Sequence, residues 1–411
     1  MHRKKMDIVI LGSGFAALSL VKNIDLNYYT VSIVSPRNQF LFTPLLPSTT
    51  VGTIEFRSII EPIRTARSEL RYYQALCVSI SEERKSIRCE TIQTGESFEL
   101  SYDYLVITVG AVNNTFGIAG VEEHALFLKE LQDARSIRGK IIDNFEMASA
   151  PNLPEEERKR LLHFVVVGGG PTGVEFAAEL NDLIREDLVK WYPLLIPDTR
   201  ITLLEATDQI LNAFDSRLAQ YAMRLFKRHS IEVKPNSPVK EVKNGRILLR
   251  DGTSIPCGLV VWSTGIGPTD LILSLPYARN RASRILTDEY LRVGGTEGVY
   301  AAGDCATPTE VSYPATAQVA QQQGKYLARH FNMIARHKPP SPFRYHDLGM
   351  LAYVGGRRAL ADLPNVKGRG FATFLFWRSA YLTRLVSMKN KVLVLFDWIK
   401  ASIFGRDISR F

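Results

Sequence analysis

One pattern occurs twice in the chain and constrains its fold more than any other feature. Asp7-Ile-Val-Ile-Leu-Gly-Ser-Gly-Phe-Ala-Ala17 is a short apolar run, a glycine turn and the start of a helical periodicity. His163-Phe-Val-Val-Val-Gly-Gly-Gly-Pro-Thr-Gly-Val-Glu175 repeats it. Runs rich in Val and Ile that break at glycine suit parallel strands buried on both faces, with helices as the crossovers. Tyr104-Leu-Val-Ile-Thr-Val-Gly-Ala111 reads as another central strand of the first copy, and Leu259-Val-Val-Trp-Ser-Thr-Gly265 holds the matching place in the second. The expected fold class is α/β, with two tandem Rossmann-like domains.

Each glycine turn carries a chemical reading. Gly12-x-Gly14-x-x-Ala17 fits the fingerprint in which two glycines allow a tight turn and the close approach of a pyrophosphate to a helix N-terminus, while a small third residue lets helix and strand pack. Such turns also occur for packing alone. Gly168-x-Gly170-x-x-Gly173 is the second copy, and its second strand, Ile201-Thr-Leu-Leu-Glu205, ends in an acid. A carboxylate there accepts bonds from ribose hydroxyls and repels a 2′-phosphate, so NADH is expected over NADPH. Asp187–Asp198 reads as an insertion that lengthens the gap between loop and acid. The first copy lacks such an acid: its strand ends at Ser35, followed by Pro36 and Arg37. The serine hydroxyl suits a ribose and the arginine a phosphate. Asp304, after the short run Gly298-Val-Tyr-Ala-Ala-Gly303, is placed either to hold the ribityl chain of a flavin or to cap a helix.

Charge points to one end of the chain. Of a formal net charge of +9, most lies between Val366 and Phe411, where nine basic residues, Arg410 among them, face two acidic ones. They are interleaved with Phe371, Phe374, Phe376, Trp377, Trp398 and Phe404, a mixture suited to an anionic lipid surface rather than nucleic acid. Val392, Phe396, Ile399 and Ile403 recur at helical spacing, Leu395 and Trp398 widen that face, and Lys389, Lys391, Lys400 and Arg406 flank it. This is the pattern of a helix lying in the membrane interface, with packing against a second copy as the rival reading. The four cysteines, Cys77, Cys89, Cys257 and Cys305, form no close pair in sequence, so neither a metal site nor a redox dithiol is expected. The first strand pattern begins at about Asp7, and a leader needs about 15–30 residues, so the expectation is a chain without one or one already processed.

Taken together, the two loops, the strand ends Thr108-Val-Gly110 and Ser263-Thr-Gly265, and Ala301-Ala-Gly-Asp-Cys305 resemble the two-dinucleotide-binding flavoproteins. Ser35-Pro-Arg-Asn-Gln-Phe-Leu-Phe-Thr-Pro-Leu-Leu-Pro47, Gly168–Glu175, Ala317-Gln-Val-Ala-Gln-Gln-Gln323, Phe376-Trp-Arg-Ser-Ala-Tyr381 and Phe404-Gly-Arg-Asp-Ile-Ser-Arg-Phe411 are similar to segments of the type II NADH:quinone oxidoreductases. That resemblance covers nearly the whole chain. It implies non-covalent FAD held by residues 1–120 and 275–340, with Gly12, Gly14, Ala17, Ser35, Arg37, Gly110 and Asp304 around it and Thr43, Pro44 and Leu45 beside its ring. It implies NADH on residues 121–274, at Gly168, Gly170, Gly173, Glu205 and Gly265, and membrane association through residues 341–411. Glu175 is implied near the flavin as a proton relay, with a helix-dipole acid as its plainer reading. Gln318 and Gln322, four apart on one helical face, match the quinone-site glutamines or form a solvated polar face. Electron transfer without proton pumping is expected, on the cytoplasmic face of a bacterial inner membrane or, second, at the mitochondrial inner membrane. Rival readings are a cysteine-dependent disulfide or sulfide:quinone reductase acting through Cys305, and a flavin-bearing sensor without steady turnover.

Overall fold

A computed structural model describes residues 4–409; Arg410 and Phe411, counted above, lie outside the described residues. By the density of their packing the residues fall into two compact units. The first takes the chain up to Leu41, then Glu61–Val112 and Ile266–Asp347; the second takes Phe42–Ile60, Asn113–Gly265 and Leu348–Phe411.

The first unit is built on a seven-stranded sheet. Met6–Leu11 runs parallel to Tyr29–Ser35 on one side and to Tyr104–Ile107 on the other, and Val299–Ala301 extends the latter side. Beyond Tyr29–Ser35 comes Arg71–Ser81, then the antiparallel strands Ser86–Thr91 and Ser97–Ser101. The apolar residues of the first sequence repeat are buried here, as parallel central strands require, with Val9, Leu11, Leu105, Ile107, Val299 and Ala301 in one cluster. Helix Phe15–Asn23 crosses helix Ala317–Ala335 closely, because a side chain on Gly324 would stand 2.1 Å from the Ala16 carbonyl oxygen. The antiparallel ladder also sets Cys77 directly opposite Cys89, a pairing that a separation of twelve residues hid from the sequence reading.

The second unit repeats the plan with five parallel strands in the order Leu126–Phe127, Leu259–Trp262, His163–Val167, Arg200–Leu204 and Ile231–Lys234. Two antiparallel three-stranded sheets accompany it, one over Val239–Pro256 and one formed by Met350–Tyr353, Ala359–Asp362 and Lys367–Gly370. The expected insertion starts where helix Pro171–Asp182 continues through a π-turn, Leu183–Leu188, into Val189–Trp191, and it ends in a single turn, Ile196–Asp198.

The other expected boundaries move by fewer than ten residues, but two groupings differ outright. Residues 42–60 group with the second unit because the short helix Leu46–Thr50, buried at every position, packs on helices Leu131–Ala148 and Pro171–Asp182. The C-terminal region groups there too. Helix Phe371–Arg384 packs on strand Ala359–Asp362, and helix Met388–Phe404 lies against Phe56–Ile59, where the Asn390 amide donates to the carbonyls of Ser58 and Ile60. No helix among the described residues is long and apolar enough to cross a membrane.

Candidate functional site

In the first unit the glycine loop has the division of labour its fingerprint requires. Gly12 has φ +103°, and a side chain on it would lie 2.4 Å from the Thr108 carbonyl oxygen, so it serves the turn. A side chain on Gly14 would meet nothing within 4 Å, which leaves open space at the start of helix Phe15–Asn23. No side chain caps that helix, and a helix start is where a phosphate is ordinarily held. Ala17 is wholly buried. Ser35, at the end of its strand, lies 2.9 Å from the Ser13 hydroxyl, and its hydroxyl oxygen accepts from the Arg37 N–H at 3.3 Å. Gly110 has φ +70° and also faces open space. Asp304 is half-buried just after strand Val299–Ala301, and Thr316, not Asp304, caps helix Ala317–Ala335. The Gly303 N–H beside it donates to Gln323 Oε1 at 2.7 Å, while Gln323 Nε2 is buried with no partner. Open glycines, an uncapped helix and an orphaned buried amide fit an adenine dinucleotide such as FAD.

The second loop has the same geometry. Gly168 has φ +113° and stands against the Ser263 carbonyl, Gly173 against the Gly168 carbonyl, and Gly170 opens onto free space. Glu205 ends its strand over this loop. Its Oε2 accepts from the Gly169 N–H at 2.7 Å, and its Oε1 from the Thr207 N–H and hydroxyl, both at 2.8 Å. The carboxylate is thus already oriented where a ribose would be read. Gly265, with φ +69°, packs against the Phe116 ring.

Helix Pro171–Asp182 carries a ladder of acids. Glu175, Glu179 and Asp182 are spaced four and three apart, hence on one face, and all three are buried. Each is held differently. Glu175 Oε1 accepts from the Tyr353 N–H at 3.0 Å. Glu179 accepts from the hydroxyls of Ser48, at 2.5 Å, and Thr53, at 2.8 Å. Asp182 accepts from the Tyr353 hydroxyl at 2.6 Å and from the Gly356 N–H. Glu175 stands beyond the first turn of its helix, so the helix-dipole reading does not account for it. Burial pushes its carboxyl up to about 8; the Tyr353 N–H and the Trp377 indole work the other way, and the charge on Glu179 adds to the rise. Burial likewise raises Asp182 to about 7. Burial and the charge of Glu175 raise the Tyr381 phenol, whose ring meets Trp377 edge-on at 5.0 Å.

Arg406 faces this ladder, 3.9 Å from Glu179. Burial opposes the charge of Arg406, but Glu179, Asp187 and Glu186 outweigh it; the guanidinium bonds Asp187 at 2.8 Å and Glu186 at 2.9 Å. Arg406 therefore does not flank the apolar face of the last helix as expected. It is turned inward by the acids of the π-turn. Beside it lies a cavity of about 180 Å³ whose walls include Glu179, Tyr353, Trp377, Arg378 and Trp398. Sequence reasoning missed Glu179, Asp182 and Tyr353; the four-and-three spacing of acids on helix Pro171–Asp182 was the available signal for the first two.

Gln318 and Gln322 lie together on helix Ala317–Ala335 and are engaged, not merely solvated. Gln318 Oε1 accepts from the Tyr345 hydroxyl at 2.8 Å. The Gln322 amide pairs with the His346 backbone, donating at 2.8 Å and accepting at 3.0 Å. Thr43, Pro44 and Leu45 form the turn leading into the buried helix Leu46–Thr50, with Thr43 and Pro44 half-buried and Leu45 fully so. On the closing helix, Val392, Phe396, Ile399 and Ile403 are all exposed, as the spacing requires, together with Leu395. Trp398 is buried instead, because it stacks over the Arg378 guanidinium at 4.8 Å and lies beside Trp377. Lys400 is tied to Glu55 at 2.6 Å.

Comparison with known proteins covers the whole of this geometry. The family described as pyridine nucleotide-disulphide oxidoreductase matches residues 6–324, and the NDH2 C-terminal domain matches residues 347–407. A probable NADH dehydrogenase of Dictyostelium discoideum is 48% identical over 410 residues, covering 98% of this chain and 91% of its own. The mitochondrial external NADH-ubiquinone oxidoreductase 2 of Saccharomyces cerevisiae is 42% identical over 99% of this chain and 82% of its own. The structure of NDH2 from Plasmodium falciparum in complex with NADH superposes with a TM-score of 0.94 at 30% identity, covering 99% of this chain and 100% of that one. The sulfide:quinone oxidoreductase of Aquifex aeolicus shares the fold, with a TM-score of 0.72 at 17% identity over 98% of this chain and 96% of its own.

Proposed function

This chain belongs to the type II NADH dehydrogenases within the pyridine nucleotide-disulphide oxidoreductase family, and on that premise we propose that it oxidises NADH with FAD and passes the electrons to a quinone. The observation that carries the reading is the pair of glycine loops, each with one glycine, Gly14 or Gly170, whose absent side chain opens onto free space at an uncapped helix start. FAD belongs to the first loop, with Ser35, Arg37, Gly110 and Asp304; NADH belongs to the second, with Glu205 on its ribose and Gly265 beside it. Thr43, Pro44 and Leu45 contribute the turn beside the flavin ring. Bound flavin supplies the two-electron chemistry that links a hydride donor to a quinone. The chain's own residues bind, orient and handle protons.

Quinone reduction consumes two protons, and the acid ladder suits that need. A carboxyl held near 8 keeps its proton at neutral pH and can give it up when the reaction calls for one. Glu175 is the proposed relay, with Asp182 behind it on the same helical face; Gln318 and Gln322 are the proposed contacts to the quinone. No step of the reading requires pumping. Residues 371–409 are proposed to rest on an anionic membrane surface, and a second copy on the same face is the alternative. Two of the relatives are named as mitochondrial, which favours a mitochondrial placement over the bacterial one. The test is the visible spectrum of the purified protein: a flavin band bleached by NADH and restored by a soluble quinone supports the reading, and a protein that stays colourless when offered FAD overturns it.

A further inference from the structure

The cysteines are spread through the sequence, yet the fold sets two of them face to face. Cys77 on strand Arg71–Ser81 and Cys89 on strand Ser86–Thr91 are direct partners in the antiparallel ladder of the first unit. Directly opposed residues of such a pair have Cα atoms about 4.5–5.5 Å apart and side chains on the same face. A disulfide needs Cα atoms about 4.4–6.8 Å apart, so the backbone already meets its requirement. The thiols are close enough for one to hydrogen-bond to the other, which favours the thiolate at Cys89 and disfavours a second ionisation at Cys77. The ladder slips just past Cys77, between it and Ser79, and the Cys77 thiol reaches the Ser79 carbonyl at 3.6 Å. A bulge beside the pair allows local twist to adjust.

The two sulfurs have unequal access. Cys89 is fully buried in the core cluster of the first unit, whereas Cys77 is only partly buried against that cluster. A solute reaches Cys77 first and finds Cys89 beside it. The remaining cysteines have no such partner. Cys257 is buried in the core of the second unit, and the Cys305 thiol donates to the carbonyls of Ala302 and Ile107.

We propose that Cys77 and Cys89 are a cross-strand dithiol that peroxide oxidises reversibly to a disulfide, a modification site that rests on nothing in the reading of the dinucleotide loops. Cys77, though the less ionised of the two, is the thiol a solute meets. Its sulfur attacks one peroxide oxygen, the O–O bond breaks, the thiol proton goes to the oxygen that leaves as water, and a sulfenic acid remains. The Cys89 sulfur then attacks the Cys77 sulfur, the S–O bond breaks, and a second water leaves. Two thiols have lost two protons and two electrons, and one peroxide has become two waters. The bond fastens the antiparallel strands to Arg71–Ser81, the strand that pairs with Tyr29–Ser35 and so abuts the end that carries Ser35.

The test uses the full-length, flavin-loaded protein exposed to hydrogen peroxide, quenched with an alkylating agent, denatured and measured for free thiols and intact mass. Two of the four thiols disappear, the mass falls by two hydrogens, a Cys77–Cys89 cross-linked peptide is recovered, and dithiothreitol restores the start. Cys77→Ser, at the partly exposed position, keeps its remaining three thiols under the same treatment. Cys89→Ala, should the serine variant fold poorly, forms no internal cross-link either. Retention of all four thiols, addition of oxygen without loss of hydrogen, a disulfide between two chains, or equal thiol loss in Cys77→Ser each overturns the proposal.

Discussion

The backbone N–H of Tyr353 donates to Oε1 of Glu175 at 3.0 Å. The phenol of the same residue donates to Asp182 at 2.6 Å, two helical turns further on. One strand residue thus registers both ends of the acid ladder. Side-chain substitution removes only one of the two bonds, so the pair can be taken apart by experiment.

Tyr353→Phe leaves the N–H on Glu175 and deprives Asp182 of its hydroxyl donor, with the Gly356 N–H remaining. A buried acceptor that loses a partner costs about 1–3 kcal/mol. Urea unfolding should show that loss in the midpoint, and an unchanged midpoint would mean that Asp182 finds another donor.

Glu175→Gln keeps the size of the side chain and removes its proton chemistry. Reduction of bound flavin by NADH should proceed as before, while reoxidation by quinone slows by about a hundredfold, as loss of a general acid typically does. Stopped-flow absorbance separates the half-reactions; equal reoxidation rates would end the proposed role. The same variant tests the pH dependence of stability. The folded carboxyl is raised from an ordinary 4.5 to about 8, so between those limits the folded state holds a proton that the unfolded state has released. Stability contributed by Glu175 is therefore complete below the lower limit and is lost as pH rises through the upper one. Unfolding midpoints of the parent should fall across that range more steeply than those of Glu175→Gln.

Glu205 stands over the second glycine loop with both carboxylate oxygens already bonded to backbone. Glu205→Ala should raise KM for NADH about tenfold, the weight of one charged hydrogen bond, and should penalise NADPH less. Steady-state assays with both nucleotides check this. An unaltered ratio would remove Glu205 from ribose recognition.

Ile399 and Ile403 are exposed on one face of the last helix. Ile399→Glu with Ile403→Glu should release the protein from vesicles containing anionic lipid, since acids on that face lose both apolar insertion and attraction to the surface. Co-sedimentation that persists would point to a second copy as the true partner of this face. Deleting the helix is a poorer experiment, because Arg406 would go with it.

What could be read without coordinates was local. Val165, Val166 and Gly168 announce a buried strand and its turn by composition and order, and Ile399 and Ile403 announce a face by spacing. Relationships between distant segments carried no such signal. Trp398 fits the apolar spacing of its helix as well as its neighbours do, yet Arg378 and Trp377 draw it inward. Ser48 and Thr53 read as an ordinary turn until Glu179 is found against them. Cys77 and Cys89 are partners only because the hairpin between them has a particular register. Polar satisfaction inside a protein depends on where the rest of the chain goes, and short-range patterns do not encode it.

Arg406 answers acids that precede it by 219 and 220 positions. During synthesis, the segment bearing Glu179, Glu186 and Asp187 therefore emerges long before its counter-charge exists. Until then those acids lack that partner, and the segment is held by its buried apolar face and by the hydroxyls of Ser48 and Thr53 on Glu179. Closure of this unit awaits residue 406, so nascent chains halted before it should be cut by protease within Pro171–Leu188, and chains halted well after it should resist.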